Sequence, residues 1–190
     1  MRANYRVVLD ACVLANYSVC DLYLRLAEDV RRRMFLPRWS EEILAEVART
    51  QQDKLNWPKE LVESFREAID EHFPEALVKA YERLIPLCEN DPKDRHVLAT
   101  AIHCQAQTIV TFNLRDFRQA ALESWHISAV HPGEYLCTLY DHDSGYVVAK
   151  LEEISERRKT SLGHTLAALK RSIPTFAALV MEELGVGEEP

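Results

Sequence analysis

Apolar and polar positions alternate along the chain in a way that separates short buried strands from longer amphipathic helices. Residues 5–10, Tyr-Arg-Val-Val-Leu-Asp, form a β-branched run closed by a charge, the pattern of a strand buried in a parallel sheet. From Ala11 to Arg33 the period turns helical, with Leu14, Leu22, Leu26 and Val30 among the apolar positions. Met34-Phe35-Leu36 has the length of a brief strand before Pro37. Ser40 then reads as an N-cap, with Glu41 and Glu42 in a first turn that suits acidic side chains, and the helix it opens extends to about Thr50.

Residues 58–85 alternate charged and apolar positions at helical spacing, and Pro58 and Pro74 are each placed to open a helix. Leu84-Ile85-Pro86-Leu87-Cys88 fits either a helix end or a short strand. Asp91 as cap and Pro92 at the first helical position begin the next helix. Residues 108–111 and 127–130 read as two further strands, and Pro132-Gly133 leads into a helix to about Tyr140. Strands separated by helices predict an α/β fold, a central parallel β-sheet flanked by helices, whose sites form beyond the carboxyl ends of the strands. Asp141-His142-Asp143-Ser144-Gly145 marks a boundary, after which two or three helices form a C-terminal extension. Val147, Val148, Leu151 and Ile154 make one of its apolar stripes, and Leu162, Leu166, Leu169 and Ile173 another. Pro174 restarts the last helix and Gly185 stops it.

At 190 residues, with 47% hydrophobic and 28% charged residues and only 5 glycines, the chain suits one folded domain with an appended subdomain. No apolar run approaches the roughly 20 residues of a membrane span. Arg2 is followed by no apolar leader core, so no secretory signal is expected. The 5 cysteines (Cys12, Cys20, Cys88, Cys104, Cys137) are odd in number and form no CxxC, which fits reduced thiols in a cytoplasm. A net charge of −7 argues against nucleic-acid binding through bulk basic character. It leaves a nuclease open, because bound divalent cations reverse the field in an acidic site. Local basic clusters stand at Arg31-Arg32-Arg33, Arg115 with Arg118, Arg157-Arg158-Lys159 and Lys170-Arg171; solvated helix faces explain most of them.

Four acids lie at the edges of hydrophobic elements: Asp10, Glu46, Asp94 and Asp116. Each has a plain alternative. Asp10 would cap the helix beginning near Ala11, Asp94 would belong to a capping box, Glu46 would pair with Arg49, and Asp116 would cap a turn before Phe117. Gathered in one place, however, carboxylates repel and raise one another's pKa, so a fold that collects them needs divalent cations to neutralise them. Competing chemistry finds no support. There is no HExxH or zinc array, no phosphate-cradling GxxxxGK[ST] or GxGxxG loop, and no GxSxG elbow. A receiver-like phosphoacceptor would need a further acidic pair and a later lysine. Cys12 stands where haloacid-dehalogenase-like phosphotransferases carry a second aspartate.

Four segments resemble the PIN-domain family and, within it, VapC-type ribonuclease toxins. They are Val8-Leu9-Asp10-Ala11-Cys12-Val13-Leu14, Trp39-Ser40-Glu41-Glu42-Ile43-Leu44-Ala45-Glu46-Val47, Asp91-Pro92-Lys93-Asp94-Arg95-His96-Val97-Leu98-Ala99-Thr100-Ala101-Ile102, and Ile109-Val110-Thr111-Phe112-Asn113-Leu114-Arg115-Asp116-Phe117. Residues 128–136 resemble the segment that closes the domain, and the tail is similar to the helical extension of one VapC subgroup. The resemblance implies a PIN domain over residues 1–140 with a helical extension over 141–190. It implies a metal-dependent endoribonuclease with Mg2+ or Mn2+ held by Asp10, Glu46, Asp94 and Asp116. Glu42, one turn from Glu46, is the alternative helix ligand. Asn113, where many relatives have an acid, is left to orient water or phosphate, and Arg115 stands near enough to touch substrate. A cognate VapB-type antitoxin and a homodimer are the implied partners besides RNA. The rival reading from another class is a catalytically weak PIN-like module that binds RNA or protein.

Overall fold

The computed structural model describes residues 5–187; Arg2 and the outer ends of both expected domains lie outside them. Five parallel strands, β1 Arg6–Leu9, β2 Leu36–Ser40, β3 Leu77–Val78, β4 Thr108–Val110 and β5 Ser128–Val130, form one sheet in the order β3-β2-β1-β4-β5. β1 is central and its Val7, Val8 and Leu9 are buried, which is why the run is continuously apolar rather than alternating. The chain builds outward to β2 and β3, then returns across β1 to lay down β4 and β5. This reversal leaves a crevice at the carboxyl ends of β1 and β4, where Asp10 N–H donates to the Val110 carbonyl at 3.1 Å.

The helices are α1 Ala11–Leu14, α2 Tyr17–Glu28, α3 Glu41–Asp53, α4 Lys59–His72, α5 Arg95–His103, α6 Gln119–Leu122, α7 Pro132–His142, α8 Ser144–Arg158, α9 Leu162–Lys170 and α10 Pro174–Leu184. α5 packs on β1, β2 and β4, while α2, packed on β2, is backed by α8 and α9. Among the described residues no helix is long and apolar enough to cross a membrane.

Three local expectations are corrected and one open reading is decided. The helix expected over residues 11–33 is two helices, broken where the Asn16 side chain turns back to accept from Val19 N–H at 3.3 Å, and it ends at Glu28, leaving Val30 exposed. The second strand is not residues 34–36 but Leu36–Ser40, with Pro37 inside it. Pro37 is tolerated because β3 pairs only with Trp39 and Ser40, so at Pro37 no neighbour on that side awaits an N–H. Pro74 opens no helix. Phe73 packs edge-on against Trp39 with ring centroids 5.8 Å apart, and the Ala76 carbonyl accepts from Trp39 N–H at 3.1 Å, so the chain is drawn onto the sheet edge as β3. Residues 84–88, read as either helix end or strand, belong to a 3-10 turn over Glu82–Leu87 with Pro86 inside. Ser40 caps α3 as expected, its hydroxyl accepting from Ile43 N–H at 3.3 Å, and the helix runs three residues past Thr50.

The C-terminal helices are built into the same core. One contiguous apolar cluster includes Val7, Leu9, Leu26 and Leu98 together with Leu136, Val147, Leu151, Ile154, Leu166, Ile173, Phe176 and Val180. Ser155 and Thr165 hydroxyls bond at 2.8 Å between α8 and α9, and Asn16 Nδ2 donates to Ser172 Oγ at 2.8 Å, tying the start of α2 to the α9–α10 link. Gly185 adopts φ 62 beyond α10, the left-handed conformation in which glycine closes a helix without side-chain strain.

Because α10 shares this core, Phe176→Ala will destabilise the whole chain by about 3–5 kcal/mol. Urea unfolding followed by far-ultraviolet circular dichroism and by tryptophan fluorescence should shift together to lower midpoint. Separate transitions would show that α8–α10 fold as their own unit.

Candidate active site

Strand β1 delivers Asp10 to the crevice almost fully buried, at 2% exposure. A buried carboxylate needs donors. Ala11 N–H donates to Oδ1 at 2.7 Å, the Thr111 hydroxyl donates to Oδ2 at 2.6 Å, and the Cys12 thiol reaches Oδ2 at 3.1 Å. Burial and the adjacent Asp10 push the Cys12 thiol up to about 12, so it stays protonated and donates. Thr111, fully buried one residue past β4, accepts in turn from Asn113 N–H at 3.0 Å. Asp10 therefore does bond the first N–H of α1, as the capping alternative requires, and it also stands in the crevice.

Asp94 sits where a 3-10 turn, Pro92–Asp94, passes into α5. The cap role at the turn belongs to Asp91, whose Oδ1 accepts from Lys93 N–H at 3.0 Å. Asp94 occupies the N-cap place of α5, yet its side chain makes no cap hydrogen bond. Its carboxyl is raised from 3.8 to about 6, first by burial and then by Asp10 and Asp116, with Glu46 adding to the push and Lys93 opposing it. Four carboxylates from segments spread over more than a hundred positions thus share one field.

Asp116 ends the 3-10 turn Leu114–Asp116, and its backbone carbonyl accepts from Asp91 N–H at 3.1 Å, stitching its loop to the one that carries Asp94. Its carboxylate lies 3.7 Å from Arg115 Nε, while Arg115 is otherwise largely exposed. The turn itself closes by Phe117 N–H to the Leu114 carbonyl, without the Asp116 side chain. Glu46, on α3, lies 3.7 Å from Arg49, the pair its plain reading requires, and 3.6 Å from His96 Nε2. Glu42 points elsewhere: its Oε2 accepts from the Tyr81 hydroxyl at 3.4 Å.

Two contributors escaped the sequence reading. Thr111 was placed only within a strand, although a polar residue closing a buried apolar run is itself a signal. His96, given a core or surface role from sequence, is buried on α5. Its Nδ1 donates to the Lys93 carbonyl at 2.9 Å, which turns Nε2 toward Glu46. Burial opposes its protonation, but Glu46, with smaller help from Glu42 and the Lys93 carbonyl, outweighs it and raises the imidazole above its usual range.

The donor set is all hard oxygen, which suits Mg2+ or Mn2+ rather than a soft ion. Among the described residues, however, no three His, Cys, Asp or Glu side chains are close enough to form a ready ion cage. Asp10 turns both oxygens to protein donors.

Asp94 generates a pH dependence with a definite sign. Its folded-state pKa, about 6, lies above its ordinary 3.8. The stability it contributes is therefore complete below the ordinary value and lost as pH rises through 6. Asp94→Asn should flatten the melting-temperature profile between these limits, and in chelator at neutral pH it should melt above the parent chain. Parallel profiles would mean that the Asp94 carboxyl is not raised in the folded chain. Thr111→Val leaves Asp10 short of its strongest donor in a buried setting, and equilibrium unfolding should register a loss of about 1–3 kcal/mol.

Comparison with known proteins agrees with this geometry. Residues 6–115, over half the chain, match the PIN domain family. A Mycobacterium tuberculosis protein named "Putative ribonuclease VapC50" is 35% identical over 106 residues, 54% of this chain. The chain spans 63% of that relative's length. No solved structure matches. A five-stranded parallel sheet with its acids at the carboxyl edge, together with the family match over β1 to β4, shows that the chain belongs to the PIN-domain family.

Proposed function

We propose that this chain is an endoribonuclease dependent on Mg2+ or Mn2+, hydrolysing RNA phosphodiester bonds at the crevice between β1 and β4. The observation that carries the reading is the Asp94 carboxyl, raised to about 6 first by burial and then by Asp10 and Asp116, with Glu46 adding to the push. Such crowding is unfavourable by itself and becomes favourable once cations neutralise it. The name of the mycobacterial relative supports ribonuclease chemistry, as does the family match.

Asp10, Asp94 and Asp116 would hold the ion, with Glu46 completing the set. When bound, a divalent ion supplies a water of lowered pKa and compensates charge that develops on phosphate. The residues of the chain do the rest. Thr111, Ala11 N–H and Cys12 fix the orientation of the Asp10 carboxylate. His96, its Nε2 3.6 Å from Glu46, would pair with that carboxylate when protonated. Asn113 has its backbone tied to Thr111, and Arg115, largely exposed on the neighbouring turn beside Asp116, would meet a substrate phosphate there. The position of Glu42 against Tyr81 favours Glu46 as the helix ligand. By the same family reading, a VapB-type antitoxin restrains the enzyme, two copies associate, and the protein works in the cytoplasm.

Two measurements test this. Isothermal titration with Mn2+ should show binding that Asp10→Asn/Asp94→Asn abolishes. RNA cleavage with Mg2+ or Mn2+ should fall by at least about 10²-fold in Asp94→Asn and disappear in chelator. Binding of RNA without cleavage by the parent chain, and without metal uptake, would replace the enzyme by a PIN-like binding module.

A further inference from the structure

The C-terminal helices carry a feature that neither the family match nor the acidic crevice absorbs. The end of α8, the start of α9, the residue following α9 and the first turn of α2 enclose a concave pocket of about 430 Å³. Arg158, Lys159, His164 and Arg171 line it, together with Ser18 and Thr160, and no acidic residue does. This concentration of positive charge occurs in a chain whose acids outnumber its lysines and arginines by 30 to 23. Among the described residues Lys159 and Arg171 face no carboxylate within ion-pair distance, and both are exposed. Arg158 is the fixed member: its Nη2 bonds Asp21 Oδ2 at 2.8 Å, and Asp21 is already shared with Arg25 at the same distance.

Lys159 is placed by a strained backbone. It closes α8 at φ 53, with its N–H bonded to the carbonyls of Ser155 and Glu156. Glycine or asparagine fills such a position at less cost, so a lysine there sets its ammonium group off the helix end at an energetic expense.

An aromatic surface adjoins the cations. Tyr17, 57% exposed, carries the Arg158 guanidinium over its ring at 4.8 Å, and Trp57 meets it edge-on at 6.2 Å. An exposed aromatic ring beside a group of cations is the combination by which proteins hold single-stranded nucleic acid, stacking bases while pairing with phosphates. Ser18 follows Asp10 by eight residues, across α1 and the break at Asn16 into the first turn of α2, so one short stretch of chain joins the crevice to the pocket.

We propose that this pocket is a phosphodiester-binding subsite, in which Lys159, Arg171 and Arg158 grip the backbone of single-stranded RNA while a neighbouring base stacks on Tyr17. The assignment rests on the ribonuclease reading above and extends it. The acidic crevice cuts, and the C-terminal helices hold the strand on one side of the cut. An acidic protein overall thereby binds a polyanion through one confined patch.

Fluorescence anisotropy of a short labelled single-stranded RNA, across a salt series, tests the subsite. The measurement uses the full chain in the Asp94→Asn background, so binding is read without cleavage. Each lost phosphate contact on a single strand removes about 0.7 from the slope of log affinity against log salt. Lys159→Gln/Arg171→Gln should therefore lower the slope by about 1.4 and weaken binding roughly tenfold at moderate salt. Tyr17→Ala should weaken binding with the slope unchanged. Arg31→Gln/Arg32→Gln makes the same charge change beyond the far end of α2, and it should leave both quantities nearly as they were. Melting curves establish that each variant is folded. An unaltered slope and affinity in Lys159→Gln/Arg171→Gln overturns the subsite, as does an equal loss in the Arg31/Arg32 pair. Displacement of RNA by millimolar inorganic phosphate at fixed ionic strength also overturns it, assigning the pocket to free phosphate. If the binding differences hold while the parent chain cleaves nothing, the subsite stands and only the catalytic reading falls.

Discussion

The hydrogen bond from the Thr111 hydroxyl to Asp10, at 2.6 Å, is the interaction on which the crevice depends. A carboxylate in the centre of a parallel sheet, hardly exposed, has no water to solvate it and must be satisfied by protein donors. Thr111 supplies one from the neighbouring strand end, and Ala11 supplies another from the first turn of α1. With Asp10 fixed, Asp94 and Asp116 are brought beside it by loops tied together through Asp91 N–H and the Asp116 carbonyl. Asp94 is raised first by its burial and then by the repulsion, and its side chain has no cap hydrogen bond to hold it in the charged form.

The topology explains why this happens at one edge and nowhere else. In an open parallel sheet every strand delivers its last residue to the same side, and the helices that follow carry their first residues there too. β1 is central and the chain reverses direction around it, so the ends of β1 and β4 have no helix crossing between them. His96 and Glu46 are brought in from helices on the sheet's flank and meet beneath the crevice. A buried imidazole beside Glu46 distinguishes it from Glu42, which accepts from the Tyr81 hydroxyl.

The helices after Asp143 do more than extend the fold. They complete the apolar cluster that begins at Val7 and, through Asn16 and Ser172, clamp the start of α2. Part of the surface they turn outward is cationic, whereas the crevice is acidic. On the proposed ribonuclease reading, separate fields of opposite sign suit a polyanion whose reacting phosphate meets cations.

Periodicity in the sequence was enough to determine the α/β class, the buried first strand, the Ser40 and Pro174 helix starts and the Gly185 stop. Each follows from local chemistry: burial on both faces, a hydroxyl cap, a fixed proline φ, a left-handed glycine. The acids Asp10, Glu46, Asp94 and Asp116 were legible as candidates because charges at the ends of apolar runs need an explanation. The tertiary structure alone decided the rest. It placed two-residue β3 at an edge, where the hydrogen bond to Trp39 outweighs any local preference after Pro74. It brought Thr111 to Asp10 across 101 positions, buried His96 against Glu46, and set Lys159 and Arg171 around one pocket. Those relations join residues distant along the chain, and no periodic pattern of neighbouring side chains encodes them.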